Sequence, residues 1–260
     1  MYRSEIIQTY QNLLNVDVAF IPEEVRTSEI SNKAILIVDI LRATSTITTA
    51  IANGALFLIP VNTPQEAFIL YEKYNREPLL GGEVDGKRIK GFHLGNSVSE
   101  YSNSVVKDKP IIIRTTNGTR AVNVCSSARH LVIGSFFNQS SCCHFLSQLG
   151  SDILIVCSGK EGKFGIEDAV FAGACVNTLS QIARIDKSDS AIAVEILYQH
   201  CKSNILKVLR DSEHGRYLIS IGLGDDLTLC SQVDTTTIVP IYHDGKIIKS
   251  MVQTYKEGFP

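Results

Sequence analysis

The sequence lacks the features that would tie it to nucleic acid, to a membrane or to an oxidising compartment. It contains no run of Lys and Arg, and its formal net charge is only −2, so it encodes no polyanion-binding surface. Its seven cysteines are odd in number and include no C-x-x-C pair, and the neighbours Cys142 and Cys143 make a poor zinc framework. Several cysteines stand in apolar contexts, where a thiol acts as a small hydrophobe, so they read as reduced and mostly structural. No stretch approaches the ~20 apolar residues needed to cross a bilayer. Met1 to Gln11 is polar and amphipathic, without the apolar core of a signal peptide, so the expected location is cytoplasmic. Low-complexity segments, strong repeats and linkers are also missing.

What remains is an ordinary globular chain of 260 residues, 44% hydrophobic and 20% charged. It reads as one continuous α/β unit over residues 1–260, an account that two closely packed lobes would also satisfy. Strands are expected at Val16 to Ile21, Ala34 to Asp39, Ala55 to Val61, Pro78 to Gly82, Ile111 to Ile113, Leu131 to Ser135 and Ile153 to Ser158. Thr46 to Ala52 continues as helix until Asn53-Gly54, and Thr63-Pro64-Gln65-Glu66 has the form of a capping box. Helix is also expected through Phe145, Leu146 and Leu149, from Glu167-Asp168 onward, and throughout Ala191 to Leu209, with a break at His214-Gly215. Leu227 to Cys230 begins a short helix, and Ile238 to Met251 reads as a hairpin around His243-Asp244-Gly245.

In open α/β sheets ligands collect beyond the carboxyl ends of strands. Three such ends carry polar loops here: Asp39 to Thr46, Arg114 to Arg120 and Ser158 to Lys163. Their convergence on one crevice is the structural expectation. In the first, Asp39 and Arg42 stand one turn apart, with Thr44, Ser45 and Thr46 crowding hydroxyls around a helix start, which favours an anion. Its plain alternative is an N-cap Asp paired to a surface Arg. In the second, Gly118 lets backbone approach an anion and Arg120 can bind it bidentately; the alternative is a helix N-cap at Asn117 with Arg114 and Arg120 at the surface. Lys160 in the third is equally a solvated loop lysine. The long segment through Phe92, Leu94 and Asn96 reads as a functional loop.

Known phosphate chemistries fail on spacing. Gly81 to Lys87 nearly makes a Walker loop, but Arg88 replaces the required Ser or Thr, and Glu83 and Asp85 would face the phosphates. No cysteine has an arginine six residues downstream; Leu41 stands where a haloacid dehalogenase would carry a second Asp; Glu213 precedes His214 where a histidine phosphatase has Arg. Metal-assisted attack by water is left. Asp39, Glu83 and Asp168 are hard oxygen ligands of the kind Mg²⁺ takes one or two at a time, while arginines stabilise the phosphoryl charge. His93 and His214 are acid candidates by residue type alone.

Together these blocks resemble the 2-phosphosulfolactate phosphatase family. The resemblance rests on Asp39-Ile40-Leu41-Arg42-Ala43-Thr44-Ser45-Thr46, on Gly82-Glu83 followed by Gly91-Phe92 and Gly95-Asn96-Ser97, and on Thr115-Thr116-Asn117-Gly118-Thr119-Arg120-Ala121. Cys157 with Gly159 and Glu167-Asp168, and Asp234 with Val239-Pro240, complete it in the family's order. Val98 stands where the family has Pro, and Phe164-Gly165-Ile166 where it more often has a Ser-Leu pair. The resemblance implies a three-layer α/β/α fold with a largely parallel or mixed sheet and Mg²⁺ dependence. It also implies hydrolysis of (R)-2-phospho-3-sulfolactate to (R)-3-sulfolactate and phosphate, a step toward coenzyme M. The expected catalytic set is Asp39, Arg42, Glu83 and Arg120, with Mg²⁺ on Asp39, Glu83 and Asp168. The small anionic phosphorylated substrate would meet Arg42, Thr44, Ser45, Asn96, Arg114, Asn117, Gly118, Thr119, Arg120 and Lys160. A homodimer is a further expectation, without nucleic-acid or membrane partners. The competing readings are a Mg²⁺ phosphatase of another small phosphorylated acid and a non-catalytic binder of such acids.

Overall fold

Alternating apolar strands and helices dominate the chain, and a computed structural model describes residues 13–250 of it. The first half runs β1 (Leu14–Ala19), β2 (Ala34–Val38), α1 (Ala43–Ala52), β3 (Phe57–Pro60), α2 (Pro64–Lys73), β4 (Leu79–Val84), β5 (Lys87–Arg88), α3 (Asn103–Val106), β6 (Pro110–Arg114) and α4 (Gly118–Val124). It continues with β7 (His130–Gly134), α5 (Gln139–Gln148), β8 (Ile153–Cys157), α6 (Ile166–Ile182), β9 (Ile185–Lys187), α7 (Asp189–Cys201), α8 (Ile205–Asp211), α9 (Glu213–Ser220), α10 (Gly224–Cys230), β10 (Pro240–His243) and β11 (Lys246–Lys249).

The strands form one mixed, mostly parallel sheet in the order β5-β4-β6-β3-β11-β10-β7-β2-β8-β1-β9. Strand β2, between β7 and β8, is buried at every residue, because both faces are covered. Leu36 and Val38 join a core with Val132, Ile155 and Phe171 on one face, while Ile35 and Ile37 join Ile47, Ile111 and Ile133 on the other. That alternation produces the three-layer α/β/α arrangement. A third, smaller cluster of Ala67, Leu80, Phe92 and Ile112 fills the space under α2.

Two wings of parallel strands, β4-β6-β3 and β7-β2-β8-β1-β9, are joined by the antiparallel hairpin β10–β11. Through it the wings run in opposite senses. Five pairings separate β6 from β2, and their twist accumulates to roughly 100°, which brings strand ends of both wings to one crevice.

Two expectations are corrected. Ala191 to Leu209 is not one helix: α7 ends at Cys201, and Asn204 caps α8 by accepting the Lys207 N–H at 3.0 Å. His214-Gly215 does not break the chain but lies inside α9, whose start is capped by Ser212 Oγ accepting the Gly215 N–H at 2.8 Å. The short strands β5 and β9 carry too few residues to show a period. Met1 to Gln11 and Met251 lie outside the described residues. Among those described, no helix is long and apolar enough to cross a membrane. All seven cysteines are free thiols, and only Cys201 is not fully buried.

Candidate functional site

The chain leaves β2 in a tight turn that consumes most of its own polar groups. The Asp39 carbonyl accepts the Thr44 N–H (2.9 Å) and the Thr44 hydroxyl (2.9 Å), while Ser45 Oγ donates to the Ile40 carbonyl and Thr46 Oγ1 to that of Asn96, each at 2.9 Å. All three hydroxyls are buried. They fix the turn and do not line the crevice. The Asp39 carboxylate accepts one weak bond, from the Ala43 N–H at 3.3 Å to Oδ1. Its Oδ2 has no partner among the described residues and lies against Gly118, where an added Cβ would stand 3.0 Å from Oδ2 and 2.5 Å from the Ala43 Cβ. Gly118 is thus a close-approach glycine that seats α4 against the Asp39 turn.

Arg42 is not at the surface. Its guanidinium is 2% exposed and donates to Asp226 Oδ2 of α10 at 2.5 Å and to the Gly86 carbonyl at 2.9 Å. Ser97 Oγ donates to the other Asp226 oxygen at 2.5 Å. Asp226 carries no motif; its partner is 184 residues away, and nothing in the sequence marks the pair.

The β4 and β6 ends are clamped together. Glu83 accepts the N–H of Gly86 on one oxygen and that of Thr116 on the other, both at 2.7 Å. Arg114 donates to the Glu83 carbonyl at 2.6 Å and to Thr116 Oγ1 at 3.3 Å. Beyond β8, Asp168 accepts the Ile40 N–H at 2.8 Å and the Gly159 N–H at 3.0 Å, tying two loops to α6. Burial, with the charges of Asp39 and Glu167, nonetheless raises its carboxyl well above the ordinary range. Lys160 projects over the Tyr217 ring, 4.8 Å from its centroid.

These loops enclose a crevice of about 430 Å³, lined by Asp39, Arg42, Glu83, Asp85, Lys87, Asn96, Thr115, Thr116, Asn117, Lys160, Glu161, His214 and Tyr217, among others. Its size suits a small molecule. The three expected loops therefore do converge, joined by Glu83 and by the α9 side chains His214 and Tyr217. Four carboxylates against three Lys and Arg leave the lining slightly negative. An anionic substrate would need a further cation there. Burial raises the Asp39 carboxyl to about 6; the charge of His214 and the Ala43 N–H lower it, and those of Glu83 and Glu167 raise it again.

The Mg²⁺ implied by the resemblance fits this donor set as an open site. Asp39 offers an uncommitted carboxylate oxygen, and Glu83 lines the same space with its remaining lone pairs. Mg²⁺ commonly takes one or two carboxylates and keeps its waters. Among the described residues no group of three or more His, Cys, Asp or Glu is placed to hold a metal ion, so the expected set of Asp39, Glu83 and Asp168 is not assembled as three ligands. Asp168 stands behind the wall as a loop tie.

The expected substrate contacts divide accordingly. Arg42, Asn96, Asn117 and Lys160 line the crevice, and Asn96 is 4% exposed with its Oδ1 unpartnered. Thr44, Ser45 and Thr119 are buried in local bonds, Thr119 to Thr115, and Gly118 packs behind Asp39. Arg114 works as a strand clamp. Arg120 is half exposed and paired with Glu23 outside the crevice. Asn117 occupies the N-cap position of α4 without a side-chain cap, its Oδ1 instead accepting the Glu161 N–H at 3.4 Å.

Gly118→Ala tests the seat. Overpacking should cost about 1 to 3 kcal/mol in stability, and any turnover that uses the Asp39 carboxylate should fall at least about tenfold once it is displaced. Thermal unfolding and turnover measurements check both.

Comparison with known proteins gives a consistent result. A family model described as 2-phosphosulpholactate phosphatase matches residues 19–245. A protein of Symbiobacterium thermophilum named "Probable 2-phosphosulfolactate phosphatase" is 36% identical over 222 residues, 85% of this chain and 95% of the relative. One of Clostridium novyi with the same name is 35% identical over 236 residues, 91% of this chain and all of the relative. A third, of Caldanaerobacter subterraneus, is 38% identical over 218 residues, 84% and 90% of the two chains.

Proposed function

Since the chain belongs to the 2-phosphosulpholactate phosphatase family, we propose that it is a phosphoric monoester hydrolase releasing phosphate from (R)-2-phospho-3-sulfolactate with the help of Mg²⁺. The observation that carries this reading is the crevice itself, where an uncommitted Asp39 carboxylate shares the lining with Arg42, Lys160 and His214. A binder of anions alone gains nothing from Asp39 and Glu83. A hydrolase that places a divalent cation between substrate and carboxylates needs both.

In this reading Asp39 and Glu83 hold the metal. When bound, Mg²⁺ supplies Lewis-acid stabilisation of the phosphoryl charge. The chain's own residues orient the substrate. Lys160 attracts the anionic tail, held over Tyr217 and so limited in its reach. Arg42 cannot swing, because Asp226 and the Gly86 carbonyl fix it, and it presents a preorganised charge at no reorganisation cost. The Asn96 amide, buried and unpartnered on Oδ1, offers a polar contact.

The test is phosphate release from (R)-2-phospho-3-sulfolactate by the full chain, with Mg²⁺ and with chelator. Turnover that stops on chelation and returns with Mg²⁺ is expected. Turnover unaffected by chelator would remove the metal, and release only from other phosphorylated acids would replace the substrate.

A further inference from the structure

We propose that His214, oriented by Glu167, is the acid that protonates the departing alcohol oxygen; this rests on the hydrolase reading above. Glu167 stands in the first turn of α6, 4% exposed, and its carboxylate accepts no hydrogen bond from the described residues. A buried carboxylate without donors requires a cationic partner. His214 Nδ1 lies 3.6 Å from Glu167 Oε1, at ion-pair range. The two residues also line a second, smaller cavity of about 190 Å³ with Gly165 and Ile166. His214 lines the crevice as well and so stands between the two cavities, with Glu167 on the side of the smaller one. With Nδ1 facing the carboxylate, Nε2 is the nitrogen left for a ligand, and it has no partner among the described residues. Among the groups that share these two cavities with the imidazole are Glu167 of α6, Asp39 beyond β2, Lys160 and Glu161 of the β8 loop, and Glu213 and Tyr217 of α9 itself. Its charge is close enough to Asp39 to lower that carboxyl.

The chemistry calls for such a group. An aliphatic alkoxide is a poor leaving group, and in a loose phosphoryl-transfer transition state negative charge builds on the leaving oxygen. Arg42 is an arginine fixed to Asp226 and cannot give up a proton at working pH. In the step inferred, the P–O ester bond breaks with its electron pair on the ester oxygen, which takes the Nε2 proton. The oxygen of a water molecule forms the new P–O bond, its surplus proton passes to bulk water, and the imidazole is recharged from there. The products are the free alcohol and phosphate.

The discriminating experiment compares two esters in full-length protein with Mg²⁺: (R)-2-phospho-3-sulfolactate, and 4-nitrophenyl phosphate, whose phenolate leaves without a proton. His214→Asn should lower kcat by about 100-fold or more on the first ester and by less than about fivefold on the second, as loss of a general acid predicts. Glu167→Gln, a change at a positioning residue, should lose roughly tenfold on the first ester only. Equal losses on both esters, or none, in a protein that melts as wild type would overturn the assignment while leaving the hydrolase reading intact. A wild-type protein that cleaves neither ester would remove that reading and this one with it.

Discussion

Asp39→Asn should give a protein that is more stable than wild type and nearly inactive. The reason is the burial of Asp39, which raises its carboxyl from 3.8 to about 6. In the unfolded chain the group ionises first, so between these values the folded state holds the extra proton. Stability therefore falls as pH rises from about 4 to 6 and stays reduced above. The difference corresponds to on the order of 3 kcal/mol at neutral pH. Asparagine keeps an oxygen for the Ala43 N–H and carries no charge to bury. In chelator at pH 7.5 the variant's Tm should exceed that of wild type by roughly 5 to 10 °C, and the gap should nearly vanish at pH 4. Mg²⁺ should raise the Tm of wild type and leave that of the variant unmoved, since a ligand stabilises only the state that binds it. Calorimetry with and without the metal checks each point, and a variant less stable than wild type at pH 7.5 would overturn the account.

The opposite outcome is expected at Asp226, far from any motif. Asp226→Ala leaves the Arg42 guanidinium buried without its counterion and Ser97 Oγ without its acceptor. Breaking one side of a buried ion pair costs about 3 to 5 kcal/mol, a Tm drop of roughly 10 °C or more for a chain of this size. Removing both partners together is a different matter. The double variant Arg42→Met, Asp226→Leu should recover most of the stability, because apolar replacements of similar volume avoid the desolvation cost. It should not recover turnover, since the fixed positive charge at the crevice is gone. A double variant as unstable as Asp226→Ala would mean that the pair is held for packing and not for charge. Denaturant unfolding of the three variants separates these outcomes.

These two residues mark how far the sequence could be read. Asp39 was legible because it is local: an apolar strand ends, and an acid, a base and hydroxyls follow within one turn. The Glu83 position and the convergence of three strand ends were legible for the same reason, since position beyond a strand's carboxyl end is a topological property. What Arg42 and Arg120 face was not. Arg42 is committed to a helix 184 residues away, and Arg120 to Glu23, and no local pattern encodes either contact. His214 was legible as an acid candidate by type, but its place in a helix was hidden by a glycine that reads as a breaker. Gly215 stands inside α9 because a Cβ there would lie 1.7 Å from the Leu209 carbonyl oxygen; closeness between α8 and α9 selects the residue, not a turn. Likewise the Ala191 to Leu209 run is apolar enough for one helix, and only the side chain of Asn204, competing for the backbone, divides it.

The hairpin that joins the two wings is also the last part of the described chain, β10 and β11 at residues 240–249. As the polypeptide leaves the ribosome, β3 and β7 are made early yet have no neighbours on their inner sides until these strands emerge. Until they do, two open strand edges face each other across a gap, the kind of edge on which chains join wrongly. The wings can each collapse on local contacts, but the sheet becomes continuous only when a late segment wedges between them. Assembly of this protein is in that sense an insertion, in which a segment made after both wings closes the sheet between them.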